Sequence, residues 1–222
     1  MTITSSQIGS LSLSVSAFLY SIWLLPQIIH NKQHRSLIHV SFLTHTSLLL
    51  GSAFDLCYAI GVNMPLRYLW VSCLTLTLML IQHQQWSLHT RASKQHTQYR
   101  ILSVTVVCLC CFTLLQCFCK MMPRIFLVNI GLLANGSFLL YPIPQILKQR
   151  RLKNADGFSI GFIWISLVIN CLDFISAITL SWPYPSIIGS MLLIICQLTL
   201  LYQYATFHKY KIFTHETRSR YC

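Results

Sequence analysis

Seven apolar runs, each close to the length of a membrane-crossing helix, limit this chain more than any other feature. They cover about 8–29, 38–61, 65–82, 101–119, 125–147, 158–180 and 184–207, and a bilayer core of about 30 Å takes roughly 20 residues of helix. None of them alternates apolar and polar residues as a barrel strand does. In hydrocarbon, only helices and closed barrels satisfy their own backbone groups. With 55% hydrophobic and 9% charged residues, the chain has too little polar surface for a soluble globule. The expected fold class is all-α, a polytopic membrane protein with seven transmembrane helices.

A formal net charge of +12 invites a nucleic-acid reading, but the placement of the charges argues against it. The loops after the first, third and fifth runs and the C-terminal tail hold Lys32, Arg35, Arg91, Lys94, Arg100, Lys148, Arg150, Arg151, Lys153, Lys209, Lys211, Arg218 and Arg220. The opposite side holds Arg67, Lys120 and Arg124. This bias predicts an N-terminus outside or in a lumen and a cytosolic C-terminus. The basic face would also draw anionic lipid headgroups. The first ten residues lack Lys and Arg, and the first run is too long for a signal-peptide core, so it is read as a retained span.

An internal repeat runs through this frame. Leu25-Pro26-Gln27-Ile28 returns as Ile143-Pro144-Gln145-Ile146, each near the end of an apolar run and just before a basic loop. A shift of 118 residues superposes the two pairs and also places Ser41 on Ser159, Leu49 on Leu167, Asp55 on Asp173, Ala59 on Ala177 and Ile60 on Ile178. Such self-similarity is the mark of a duplication. The chain divides into a first three-helix repeat (1–82), a cytosolic loop with a linker helix (83–122), a second three-helix repeat (123–207) and a cytosolic tail (208–222). After three spans the chain is on the wrong side to repeat its orientation, and one linker crossing restores it. The predicted 3+1+3 arrangement therefore relates two parallel repeats by an axis along the membrane normal.

The pairs Pro26-Gln27 and Pro144-Gln145, each followed by a basic loop and then by Ser41 or Ser159, resemble the PQ-loop family. The second copy, which runs through Gly157, is the closer match; the first has His39 where the second has Gly157. The family includes cystinosin, lysosomal cationic amino-acid exporters and SWEET sugar carriers. The resemblance implies a small-solute carrier, proton-coupled in some members. In the amino-acid exporters the acidic group often stands at the positions of Ser52 and Asn170. Here the acids are Asp55 and Asp173, so the mechanism carries over and the substrate does not.

A carboxylate in hydrocarbon is costly and is kept by facing the bundle interior, by pairing or by holding a proton. Asp55 and Asp173 lie roughly 20–25 Å from the cytosolic start of their spans, where each can meet protons from outside. Arg67 is the expected ion-pair partner of Asp55. Asp173 is left as the leading proton or cation site, since the position equivalent to Arg67 is Pro185. Asn170 and Ser52 share a helical face with the two acids. Asn170 suits a substrate with an amine or hydroxyls, and Ser52 is expected to make an interhelical hydrogen bond. Asn135 is a further interior candidate. Pro26 and Pro144 are read as hinges, with Gln27 and Gln145 satisfying carbonyls freed by the bends. Trp23 and Tyr141 share a repeat position, as gate or interfacial belt residues. His45 is expected to be packed inside, and the other eight histidines solvated.

Five cysteines crowd the fourth run, where Cys108 and Cys110 point to nearly opposite sides of a helix and cannot share one metal. Neither a nucleophile–base arrangement nor a phosphate-cradling loop is present. The expected function is transport of a small polar solute, an amino acid or similar metabolite, coupled to protons, without cofactor, metal, catalysis or nucleic acid. The alternatives are an uncoupled SWEET-like sugar facilitator and a non-transporting membrane receptor or scaffold.

Overall fold

A computed structural model describes residues 5–34, 39–89, 95–119, 123–182 and 184–219. Within these, side chains are described except at His34, His89, Gln95, His96, Cys110, 113–119, Pro185 and 208–219. Arg35, Arg91, Lys94, Lys120, Arg220 and the side chains of Cys117, Cys119, Lys209, Lys211 and Arg218 lie outside that set.

The described residues are all-helical: α1 (Ser5–Tyr20), α2 (Leu25–His34), α3 (Phe42–Gly61), α4 (Leu66–His89), α5 (Gln95–Cys119), α6 (Arg124–Leu140), α7 (Pro142–Leu152), α8 (Ile160–Thr179) and α9 (Tyr184–Ser219). By length and composition, Ser5–Gln33, Arg124–Leu152, Ile160–Thr179 and Ser186–Phe207 can each cross a membrane. The chain is an integral, multi-pass membrane protein. Leu11, Phe18, Trp70, Ile125, Leu132 and Tyr202 are more than half exposed, as an apolar surface facing lipid requires.

Three expectations need correcting. The first run is a broken rod with its break ahead of the Pro-Gln pair, while the fifth is interrupted only at Tyr141, which keeps helical φ and ψ (−58°, −33°) and its bond to the Ser137 carbonyl (3.1 Å). A proline has no N–H and its ring crowds the carbonyl four residues back, so the disturbance falls in the preceding turn. Between α1 and α2 the ladder tightens to three-residue steps, Ser21 N to Phe18 O (3.0 Å), Ile22 N to Leu19 O (3.1 Å) and Leu25 N to Ile22 O (3.0 Å). In the second copy, Tyr141 separates α6 from α7, which begins at Pro142. Next, much of the expected polar loop Gln82–Arg100 is helical, because α4 continues to His89 and α5 starts at Gln95. Likewise α9 continues to Ser219, through most of the expected tail.

The 118-residue register extends to backbone detail. Asn63 and Ser181 both take positive φ, 55° and 54°. They follow six-to-one closures, Met64 N to Ala59 O and Trp182 N to Ala177 O, each 2.8 Å. This geometry ends α3 and α8 in the same left-handed cap. Packing partners also correspond: α1 lies on α8 as α6 lies on α3, and α4 lies on α3 as α9 lies on α8. The linker α5 packs on α3 and α4. Where α1 meets α8, Gly9 fits against Thr179; where α6 meets α3, Gly61 fits against Leu127. Leu127 is the register equivalent of Gly9, and Thr179 that of Gly61. At these equivalent positions the glycine stands on opposite partners of the two crossings.

Candidate functional site

At the end of the bundle where α3 and α8 begin, the two glutamines of the repeated pairs cross over. Ser159 caps α8, and its backbone N–H is one of the donors a helix start leaves unsatisfied. That N–H donates to Gln27 Oε1 (2.8 Å), while Gln27 Nε2 donates to the Gly157 carbonyl (3.1 Å) and to Asn31 Oδ1 (2.8 Å). Ser41 N donates to Gln145 Oε1 (2.7 Å), and Gln145 Nε2 donates to the His39 carbonyl (3.2 Å). Each copy's glutamine therefore holds the loop and helix start of the other copy. Both are buried, at 1% and 0% exposure. The expected role, satisfying carbonyls freed at the bends, is replaced by this crossed clamp. A second crossed pair stands beside it: His30 Nε2 bonds the Asp156 carbonyl (3.0 Å), and Lys148 Nζ donates to the Val40 carbonyl (2.9 Å). His30 and Lys148 are register equivalents.

The clamp explains why one copy has glycine and the other histidine. A Cβ on Gly157 would stand 2.6 Å from the His39 carbonyl oxygen and 2.6 Å from Gln145 Nε2. The two loops touch each other at equivalent positions, and one of them must lack a side chain. Pro26, on the same turn as Gln27, packs on Gly161, whose added Cβ would lie 3.1 Å from Pro26 Cβ. Pro144 is half-buried.

Toward the other end, the two aspartates have different partners. Asp55 accepts from Tyr68 Oη and Ser72 Oγ, both at 2.5 Å, on α4 of its own half. The expected Arg67 ion pair is not formed: Arg67 is exposed, and the hydroxyls one and five residues further on take both carboxylate oxygens. Asp173 accepts from Tyr20 Oη (3.0 Å), on α1 of the other half, while the Ser16 hydroxyl on the same helix donates to the Leu13 carbonyl (3.1 Å). The register gives the reason. The positions equivalent to Ser16 and Tyr20 are Ala134 and Phe138, which offer Asp55 no hydroxyl across the seam.

Between clamp and aspartates lies a strip of polar groups. Phe162, Ser166 and Asn170 recur at four-residue steps along one face of α8, and Asp173 follows on that face. Trp23 packs on Phe162 with ring centroids 5.3 Å apart. Tyr141 Oη accepts from Gln197 Nε2 (2.7 Å). The Ser166 hydroxyl lies beside Tyr141 without completing a sound hydrogen bond. Trp23 Nε1, Ser166 Oγ and Gln197 Oε1 are buried without a hydrogen-bond partner among the described residues. Asn170 is 6% exposed, and among the described residues no hydrogen bond engages its amide. Buried polar groups are rarely left unpaired, which makes this strip, lying between clamp and aspartates, a candidate site for a polar ligand. The register equivalents of Ser166, Asn170 and Gln197 are Leu48, Ser52 and Met79, so the polar wall belongs to the second half.

Other expected site residues fall elsewhere. Ser52 is buried, but its hydroxyl donates to the Leu48 carbonyl of its own helix (2.7 Å), not to a neighbouring helix. Asn135 is exposed, with its amide on the Gly131 carbonyl (3.0 Å), so it is not an interior residue. His45 is buried as expected, but His83 is buried with it and not solvated. The chain runs from His45 Nε2 to His83 Nδ1 (2.9 Å) and from His83 Nε2 to Ser103 Oγ (2.5 Å). Gln85 and Gln203, register equivalents that sequence reasoning missed, donate to the Ile28 and Ile146 carbonyls at 3.2 Å each. Extending the shift beyond Ile60 would have found them.

Comparison with known families finds the PQ loop repeat twice, over residues 8–67 and 126–186. The matches begin 118 residues apart, the shift of the internal repeat. Comparison with curated proteins finds no match. Among solved structures, the chain is similar to a eukaryotic SWEET transporter, with a TM-score of 0.63 and 14% identity, over 90% of this chain and 99% of that one. At that identity the likeness concerns the fold.

Proposed function

The chain belongs to the PQ-loop repeat family, and from that premise we propose that it carries a small polar solute across the membrane by alternating access. The moving parts are two three-helix units, one of α1/α2, α3 and α4, the other of α6/α7, α8 and α9, with α5 as linker: a 3+1+3 arrangement. The observation that carries this reading is the order of contacts along the bundle. The crossed glutamines close one end, Tyr20–Asp173 joins the halves toward the other, and the unpaired groups of Trp23, Ser166, Asn170 and Gln197 lie between them. A solute bound there exchanges its hydration for those groups, and release on either side requires one closure to part.

The basic loops put the clamp in the cytosol and Asp173 toward the outside or lumen, with anionic lipids at the clamp's face. Asp173 is the proton site. Its hydroxyl partner, Tyr20, belongs to the opposite half, so a change in its charge alters a contact between halves. Asp55, held within its own half, has a structural role. Polar groups in the second half where the first has Leu48 and Met79 favour a solute with a hydrogen-bonding side and an apolar side, such as a neutral amino acid.

The test is uptake into proteoliposomes from a panel of amino acids and sugars, with and without an imposed pH gradient. Amino-acid uptake driven by the gradient and lost in Asp173→Asn supports the reading. Sugar uptake indifferent to the gradient would make the chain an uncoupled facilitator. Absence of any flux would favour a receptor or scaffold.

A further inference from the structure

The two seams between halves differ in chemistry at the end away from the clamp. Where α1 meets α8, Gly9 packs against Thr179 and Leu180, Tyr20 donates to Asp173, and the Ser176 hydroxyl is shared between the Leu172 carbonyl of its own helix (2.9 Å) and the Gly9 carbonyl (3.2 Å). Where α6 meets α3, the equivalents of Ser16, Tyr20, Gly9 and Ser176 are Ala134, Phe138, Leu127 and Tyr58. That seam is closed by packing: a Cβ on Gly131 would stand 2.9 Å from the Tyr58 ring, and one on Gly51 would stand 3.0 Å from Ser137 Cβ. Both seams are close-packed, but the α3–α6 seam has no hydroxyl bond of the Tyr20–Asp173 kind at the equivalent positions, so its contact depends on surfaces staying complementary. A seam that also relies on a side-chain hydrogen bond can part there and have its polar groups taken up by water or solute.

We propose that the end away from the clamp opens on one side only, between α1 and α8, and that Tyr20 is the residue that holds this side shut. The α3–α6 seam is then the pivot. Asp173 lies one helical turn from Asn170 and two from Ser166, on the same face of α8, so a gap between α1 and α8 leads directly onto the unpaired polar strip. Tyr20 also packs edge-on against Trp23, with centroids 5.9 Å apart. Its swing away from Asp173 therefore uncovers the indole whose Nε1 has no partner among the described residues. Tyr20 acts through Asp173 and Trp23 and is a positioning residue. The inference rests on the transport reading for its purpose, but the geometry it asserts is measurable without any solute.

The experiment is distance measurement between paired spin labels carried on unnatural amino acids, which leaves the ten native cysteines in place. One pair, at the exposed positions Leu11 and Ile178, spans the α1–α8 seam; the other, at Asn63 and Ile125, spans the α3–α6 seam. Tyr20→Phe, which installs the residue that the second seam already has, is expected to raise the long-distance population of the first pair at least threefold and leave the second pair unchanged. Asp173→Leu should do the same. Asp173→Asn, whose amide oxygen still accepts from Tyr20, should keep the native distribution. An unchanged second pair in each variant also shows that the bundle is folded. The inference is overturned if both pairs lengthen together, or if Tyr20→Phe and Asp173→Leu leave the first pair as in the native protein. Either result leaves the uptake test of transport untouched.

Discussion

Gly157→Ala adds a single methyl group where the two halves touch. That Cβ would stand 2.6 Å from the His39 carbonyl oxygen, 2.6 Å from Gln145 Nε2 and 2.8 Å from the His39 carbonyl carbon. Ordinary contact begins near 3.4 Å, so backbone must move by the better part of an ångström. The backbone that has to move carries the carbonyl that Gln145 holds at 3.2 Å, two residues before the N–H it holds at 2.7 Å. Overpacking costs about 1–3 kcal/mol, and an unsatisfied buried group adds about 1–3 kcal/mol. A total near 3 kcal/mol corresponds to a fall in melting temperature of roughly 6–12 °C for a chain of this size. Gly189→Ala is the control. It lies within α9 with nothing inside 4 Å of the added Cβ, so it should be neutral or stabilising by up to about 1 kcal/mol. Thermal unfolding of both variants in the same detergent decides. A Gly157→Ala protein as stable as the native one, or a Gly189→Ala protein equally damaged, would refute the reasoning about the touching loops.

Further outcomes follow from the same contacts. Arg67→Ala should shift stability by no more than about 0.5 kcal/mol, as for an exposed side chain without a partner in the fold, whereas Tyr68→Phe and Ser72→Ala should each cost about 1–3 kcal/mol; denaturant titration separates them. Gln27→Ala and Gln145→Ala each leave a helix-cap N–H and a loop carbonyl unpaired, and each should cost about 2–4 kcal/mol in the same titration. Replacing His83 alone by Leu strands His45 Nε2 and should destabilise more than the double change His45→Ile with His83→Leu. The double change copies Ile163 and Leu201 of the second half and removes both partners of the bond.

Much of the architecture is legible in the residues because a bilayer allows few solutions: apolar runs announce helices, and the shifted identities announce a repeat. Details set by local competition are harder to read. Pro26 marks the bend in the first run, but the break falls in the turn ahead of it, where the displaced carbonyls lie. The helix extensions through Gln82–His89 and beyond Phe207 pass through polar sequence that by itself reads as loop. In the site, Gln27, Gln145, Asp55 and Asp173 stand out by repetition. A register shows which positions are equivalent, however, and not which copy each one touches, so the crossing of the glutamines could not be read from it. The two aspartates part company through their neighbours, Tyr20 and Ser16 against Phe138 and Ala134, a difference that gains meaning only once α1 is seen against α8. Gln197 and Tyr141 meet across 56 residues, beyond the reach of any helical spacing.

If the crossed glutamines are the closure on the loop side, separating them must separate the halves there. Spin labels at the exposed positions Ile29, on α2, and Ile160, at the start of α8, report that distance. The native protein should show two populations, one short and one long, and Gln27→Ala with Gln145→Ala should convert most molecules to the long one. A single narrow distribution that ignores both substitutions would contradict the clamp and the motion built on it.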